Sequence, residues 1–117
     1  MSIISYDTLN NLQEISFIAG SSKVLTFACF VEDTTDPLDI SNGTAVWVLC
    51  PYGEYDSRVI EKVGNIISTN SFTVQLNSTD TLYLSGKYMQ QVILTDSYGN
   101  VTRPAQGEVI ILPAIIT

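Results

Sequence analysis

"SGKYMQQVILTDSYGNV", residues 85–101, decides the architecture. Successive side chains of an extended strand point to opposite sides, so Tyr88, Gln90, Val92 and Leu94 share one face and Met89, Gln91 and Ile93 the other. The strand runs from Tyr88 to Asp96 and gives way to a turn over Ser97–Asn100, where Asp96 at the start and Gly99 three residues on suit a type I turn with a bulge. Val101–Leu112 is the returning strand. A long antiparallel hairpin therefore closes the chain, with Gln90 as a polar residue on its inward face.

Working back from that hairpin, turn residues cut the chain into short β-like pieces and leave no long amphipathic helix. Ile15–Ala19 is a first strand. Lys23–Val31 follows, with Leu25, Phe27, Cys29 and Val31 on one face. The polar stretch "EDTTDPLDISNG", residues 32–43, reads as a loop between sheets, with Leu38 and Ile40 as apolar anchors. Thr44–Cys50 carries the only tryptophan, Trp47. Arg58–Val63 and Ile66–Ser68 flank Gly64-Asn65, which predicts a two-residue hairpin with a primed turn. Ser71–Leu76 alternates with Phe72, Val74 and Leu76 inward. Between it and the closing hairpin there is room for one helical turn near residues 78–84, capped by Asn77 or Ser78 and stopped by Gly86. Short strands at spacings of about ten residues with a single helical turn specify an all-β antiparallel sandwich, a small barrel being the alternative.

With 117 residues, 45% of them hydrophobic and 15% charged, the chain is one domain able to build its own core. The division is an N-terminal arm at 1–13, a sandwich at 14–112 and an apolar tail at 113–117. Twelve acidic residues against five basic ones give a formal charge of −7, which opposes binding to a phosphate backbone. Lys23, Arg58, Lys62, Lys87 and Arg103 are dispersed, so neither nucleic acid nor an anionic membrane is an expected partner. No apolar run approaches the ~20 residues that span a bilayer, and Met1–Asn11 has no signal-peptide pattern.

Histidine is absent, which removes Ser-His-Asp and Cys-His catalysis and leaves no nucleophile, base and oxyanion stabiliser in one constellation. No enzymatic activity and no cofactor are expected. Cys29 and Cys50 lie inside apolar runs and read as buried free thiols rather than zinc ligands. Asp33, Asp36 and Asp39 supply hard oxygens in one polar loop, a minor calcium hypothesis without the spacing of an EF-hand. The Asn-x-Ser/Thr strings at Asn42, Asn77 and Asn100 are explained by turn chemistry. Tyr52, Tyr55 and Tyr98 lie at or beside turns, where rings stack on sugars if they share a face.

Trp47 in the third strand, the string Gly86-Lys87-Tyr88 after a turn, and the terminal hairpin together resemble an immunoglobulin-like fold, in which a Gly-x-Tyr-x-Cys string forms the tyrosine corner. On that resemblance Tyr88 is the corner tyrosine, Cys29 stands at the second-strand cysteine and Gln90 occupies the place of its partner, so no inter-sheet disulfide is implied. From about Ile15 to Ile111 the order Pro37, Asp39, Ile40, Gly43, Pro51, Gly53, Gly86, Tyr88, Val92, Leu94, Asp96 and Gly99 is similar to the immunoglobulin-like modules of tailed-phage virion proteins, among them the N-terminal domain of baseplate upper proteins. The resemblance implies a structural protein of a tailed bacteriophage in the tail, baseplate, connector or capsid decoration, assembled in the host cytoplasm. Such modules often precede a receptor-binding region. This sequence ends five residues after Leu112, and a receptor-binding role is not carried over.

Hydrophobic residues also occupy the positions that alternation turns outward: Val46 and Val48, Met89 and Ile93, and Ile110. With Gln91, Ile115 and Ile116 they form a candidate partner interface, since a large apolar patch on a folded domain marks an interaction surface unless the chain's own termini cover it. Expected partners are other virion proteins and copies of the same chain; surface carbohydrate, bound through the loop tyrosines, is the alternative.

Overall fold

A computed structural model describes residues 2–5, 15–31 and 36–115. Among these residues nine strands and one helical turn follow one another: β1 (Ser2–Ser5), β2 (Ile15–Ile18), β3 (Lys23–Val31), β4 (Thr44–Pro51), β5 (Ile60–Val63), β6 (Asn65–Ser68), β7 (Ser71–Leu76), α1 (Ser78–Thr81), β8 (Gly86–Thr95) and β9 (Val101–Leu112). They form a four-stranded sheet in the order β1-β3-β7-β6 and a five-stranded sheet in the order β2-β9-β8-β4-β5. Each strand hides one face, and stacking the two hidden faces yields a sandwich. The order is that of the immunoglobulin fold: β1, β3, β7 and β6 stand as strands A, B, E and D, and β4, β8 and β9 as C, F and G.

The two added strands sit at the edges of the larger sheet. β2 runs parallel to β9, with Ile15 opposite Val109 and Ile18 opposite Leu112. β1 pairs antiparallel with β3, Ser2 opposite Val31. The N-terminal segment is thereby divided between both sheets, and Ser2–Ser5 of the expected arm is a strand; residues 6–13 lie outside the described region.

Alternation placed the core correctly wherever the side chains are described, Val31 lying outside them. Leu25, Phe27 and Cys29 from β3 meet Trp47 and Leu49 from β4, Phe72, Val74 and Leu76 from β7, and Tyr88 and Val92 from β8. Phe27 and Phe72 stack with ring centroids 5.0 Å apart. The loop anchors also hold: Ile40 is buried and Leu38 packs against the core, because the Leu38 amide donates to the Cys29 carbonyl at 3.0 Å and the Ile40 amide to Thr69 at 2.7 Å. Gly43 ends that loop against β8, where a Cβ would stand 2.2 Å from the Thr95 carbonyl oxygen.

Gly64-Asn65 is not the predicted hairpin. β5 belongs to the five-stranded sheet and β6 to the four-stranded one, so Gly64 is where the chain changes sheets. Its amide donates to the Ala45 carbonyl at 2.7 Å, and a Cβ there would lie 2.5 Å from the Phe72 ring. Close approach between layers, rather than a left-handed turn, is what requires the glycine.

α1 is the expected helical turn with Asn77 at its N-cap; the Asn77 amide donates to Asp80 Oδ2 at 2.7 Å. Gly86 does not stop it. The Leu84 amide closes the turn onto the Thr81 carbonyl at 2.9 Å, and Gly86 instead opens β8 with a φ of 108°. Thr81 is fully buried, its Oγ1 accepting from the Gly20 amide at 3.0 Å, which ties α1 to the β2–β3 turn. The β8–β9 turn is as expected: Gly99 has φ 86°, its amide donates to the Asp96 carbonyl at 3.1 Å, and the Asp96 carboxylate accepts from the Tyr98 and Asn100 amides, both at 2.9 Å.

Candidate interaction face

The two outer faces of the sandwich differ in chemistry. On the four-stranded sheet the outward positions of β7 are Ser71, Thr73 and Gln75, and β3 sets Ala28, Thr26 and Val24 opposite them, Val24 being 55% exposed. On the five-stranded sheet they are Val46, Val48 and Cys50 from β4, Met89, Gln91 and Ile93 from β8, and Ile110 from β9. A sheet face turned to water favours polar side chains, and the central strands of the first carry more of them than those of the second.

Strand register arranges that second face in rows. Val46 stands opposite Val63 of β5 on one side and Ile93 of β8 on the other, an apolar row in which Val63 is 74% exposed. Next comes a polar row in which Val48 lies between Glu61 and Gln91, and Gln91 is opposite Gln106. Cys50, Met89 and Glu108 make the third row. Lys87 and Ile110 are paired in the fourth, with Ser16 beyond, and Lys87 Nζ reaches Glu108 at 3.1 Å. Val46, Val48, Met89, Gln91, Ile93 and Ile110 of the predicted set share one face of the sheet, but an amide row and an ion pair divide it into two apolar zones.

Val48 departs from the expectation of an exposed contact residue: only 4% of it is accessible. The chain between β4 and β5 folds over it. Val59 is held by its amide to the Leu49 carbonyl at 2.8 Å, and the Cys50 thiol donates to the Tyr55 carbonyl at 3.7 Å. Val48, Cys50, Tyr55, Arg58, Met89, Gln91, Ile93 and Gln106 enclose a groove of about 360 Å³ between this loop and the sheet. Alternation gave the direction of Val48 and not the path of the loop. Ile115 is almost wholly exposed beyond β9; Ile116 lies outside the described residues.

Beneath the face, Trp47 Nε1 donates to Gln90 Oε1 at 2.9 Å, and both side chains are buried. Gln90 faces the same core as Cys29. The Tyr88 hydroxyl donates to the Ser85 carbonyl at 3.2 Å, the corner that the Gly-x-Tyr string implied. Both cysteines are free. Burial pushes the Cys29 thiol up to about 12 and also raises Cys50, so both are protonated at neutral pH and poor nucleophiles.

Of the candidate calcium ligands, Asp33 lies outside the described residues. Asp39 Oδ1 accepts from the Ser41 amide at 2.9 Å and from its hydroxyl at 2.6 Å, which holds the carboxyl below its usual value. Among the described residues no three His, Cys, Asp or Glu side chains are grouped to hold a metal. Among the described residues Asp36 and Asp39 have no third such side chain grouped with them.

The loop tyrosines are separated. Tyr52 follows β4 and lies under Lys87, whose Nζ is 4.3 Å from its ring centroid. Tyr98 sits in the β8–β9 turn, at the end of the sheet where Thr44 pairs with Thr95. The length of β4 lies between them, so Tyr52, Tyr55 and Tyr98 do not form one stacking platform. The Tyr98 end holds a smaller pit of about 190 Å³, floored by Leu38, Ile40 and Leu94. No described helix is long and apolar enough to cross a membrane.

No family model and no curated protein matches the sequence. Among solved structures the chain is similar to CopC from Methylosinus trichosporium OB3b, at 12% identity and a TM-score of 0.52 over 89% of this chain and 88% of that one. It is similar to the fibronectin(III)-like modules of CbhA from Clostridium thermocellum, at 9% identity and 0.50 over 96% and 99%. The GspB Siglec domain matches at 21% identity and 0.51, over 97% of this chain and 58% of that one. At such identities the likeness is one of fold: this chain is an immunoglobulin-like β-sandwich.

Proposed function

We propose that the chain is a non-enzymatic assembly module whose five-stranded sheet docks on a neighbouring protein, and that it serves as a structural protein of a tailed-bacteriophage particle, in the tail, baseplate, connector or capsid decoration. The observation that carries the docking role is the contrast between the two outer faces. On one sheet Ser71, Thr73, Gln75 and Thr26 stand among Val24 and Ala28, while on the other Val46, Val63, Met89, Ile93 and Ile110 form two apolar zones beside the Gln91–Gln106 row. An apolar face of this kind gains by leaving water, at about 25 cal/mol per Å² buried. The particle assignment draws on the ordered Pro, Gly, Tyr and Asp positions from Pro37 to Gly99, which resemble virion modules. A surface-carbohydrate role draws no comparable support, because its three rings divide between the two ends of the sandwich.

Mass spectrometry of purified phage particles from the source tests the assignment. The chain is expected in fixed stoichiometry with the other structural proteins and retained through density-gradient purification. Its absence from particles while it is abundant in the lysate would overturn the virion role.

A further inference from the structure

We infer that the partner of the five-stranded sheet is a second copy of this chain, packed face to face about a two-fold axis; the inference rests on the docking role proposed above and names its occupant. A two-fold interface is isologous, so one surface must be complementary to itself. Three features of this face meet that requirement.

The first is charge. The chain carries −7, which drives identical molecules apart. On the strands of this face, however, the described carboxylates are matched. Glu108 pairs with Lys87 at 3.1 Å, and Glu61 pairs with Arg58, which lines the groove. Two of the five cations of the chain are therefore spent on neutralising one sheet, and it can meet its own copy with little repulsion. Glu54 and Asp56 are exposed on the β4–β5 loop, outside the strands.

The second is the amide row. Gln91 and Gln106 stand opposite each other near the middle of the face. A carboxamide holds both donors and an acceptor, so each is satisfied by the same group from an identical surface, with no foreign chemistry needed. Placed between the apolar zones, this row fixes the register of the two copies.

The third is area. Five strands about 4.8 Å apart, from 4 residues at the edges to 12 in β9, make a face of about 600 Å² per copy, close to the roughly 1,200 Å² total of a stable interface. The apolar row Val46–Val63–Ile93 and the diagonal neighbours Met89 and Ile110 provide the contact area, and the groove beneath the β4–β5 loop gives relief for side chains of the second copy.

Sedimentation equilibrium of the full chain over about 1 µM to 1 mM tests this with three variants. Val63→Glu lies on an exposed edge strand that tolerates a carboxylate, Ile93→Glu lies inside the apolar row, and Gln75→Glu adds the same charge to the outer face of the other sheet. Circular dichroism verifies folding. The native chain is expected to reach twice its 12.8 kDa mass, with the dimer weakened at least tenfold by Val63→Glu and Ile93→Glu and unchanged by Gln75→Glu. A folded monomer throughout, a dimer indifferent to Val63→Glu, or one dissolved by Gln75→Glu overturns the inference. A monomer present in particles rejects self-pairing and keeps the virion role; a dimer absent from particles does the reverse.

Discussion

Trp47 and Gln90 are joined across adjacent strands by an Nε1 to Oε1 hydrogen bond of 2.9 Å at the centre of the core. The amide stands where the immunoglobulin resemblance places a cysteine. A disulfide constrains the unfolded chain; this bond contributes only to the folded state. Its removal leaves a buried indole N–H without that acceptor, a penalty of about 1–3 kcal/mol. Gln90→Leu is expected to lower the urea midpoint accordingly, with the slope unchanged. Gln90→Leu with Trp47→Phe should recover part of the loss, because both polar groups are then absent. A single variant as stable as the native chain would show that the bond is dispensable.

The two thiols differ in what must open to expose them. Cys29 lies between the sheets and is fully inaccessible, whereas Cys50 is on the outer face beneath the Tyr55 carbonyl. Alkylation followed by mass spectrometry at pH 8 should label Cys50 first, at the rate at which the β4–β5 loop lifts. Cys29 should label only through global unfolding, and therefore accelerate steeply with denaturant. Equal rates would mean that the loop does not open separately from the core.

Gly64 tests the sheet change. A methyl group there meets the Phe72 ring and the Ala45 carbonyl, so Gly64→Ala is expected to destabilise by roughly 1–3 kcal/mol through overpacking. Gly53 has nothing within 4 Å of an added Cβ but a φ of 86°. Gly53→Asn, which tolerates that backbone region, should be close to neutral in the same thermal melt. A tolerant Gly64 would show that the two layers do not press on this position.

These residues also mark where sequence is informative. Phe72, Val74, Leu76, Tyr88 and Val92 were legible because burial on one face repeats every second residue, a local signal. The tyrosine corner and the Asp96–Gly99 turn were legible because their hydrogen bonds span only a few residues. Gly64-Asn65 misled because its dipeptide favours a turn, while the deciding contacts come from Phe72 and Ala45, distant in sequence. The parallel pairing of Ile15 with Val109 left no trace either, since a register between strands so far apart depends on the completed sheet. The interaction face was half legible: alternation turned Val48 outward, but the loop anchored by Val59 and Tyr55 covers it.

Acid should act through α1. The Asp80 carboxylate accepts from the Asn77 amide and pairs with Lys62 Nζ at 2.9 Å, linking the helical turn to edge strand β5. The backbone hydrogen bond from Asn77 is the main influence holding its carboxyl below the ordinary value, with Lys62 assisting. A carboxyl depressed in the folded state contributes stability that is complete above its unfolded pKa, about 3.9, and is lost as pH falls through the folded value. Stability is therefore expected to stay level from pH 7 to about 5 and to decline below 4. Asp80→Asn retains an acceptor for the Asn77 amide but not the charge, so it should start less stable at neutral pH and lose less on acidification. Chemical denaturation from pH 7 to pH 3 measures both. If the variant and the native chain fall in parallel, the acid sensitivity lies with other carboxylates, of which Asp39 and Asp96 are also held low by the turns they build.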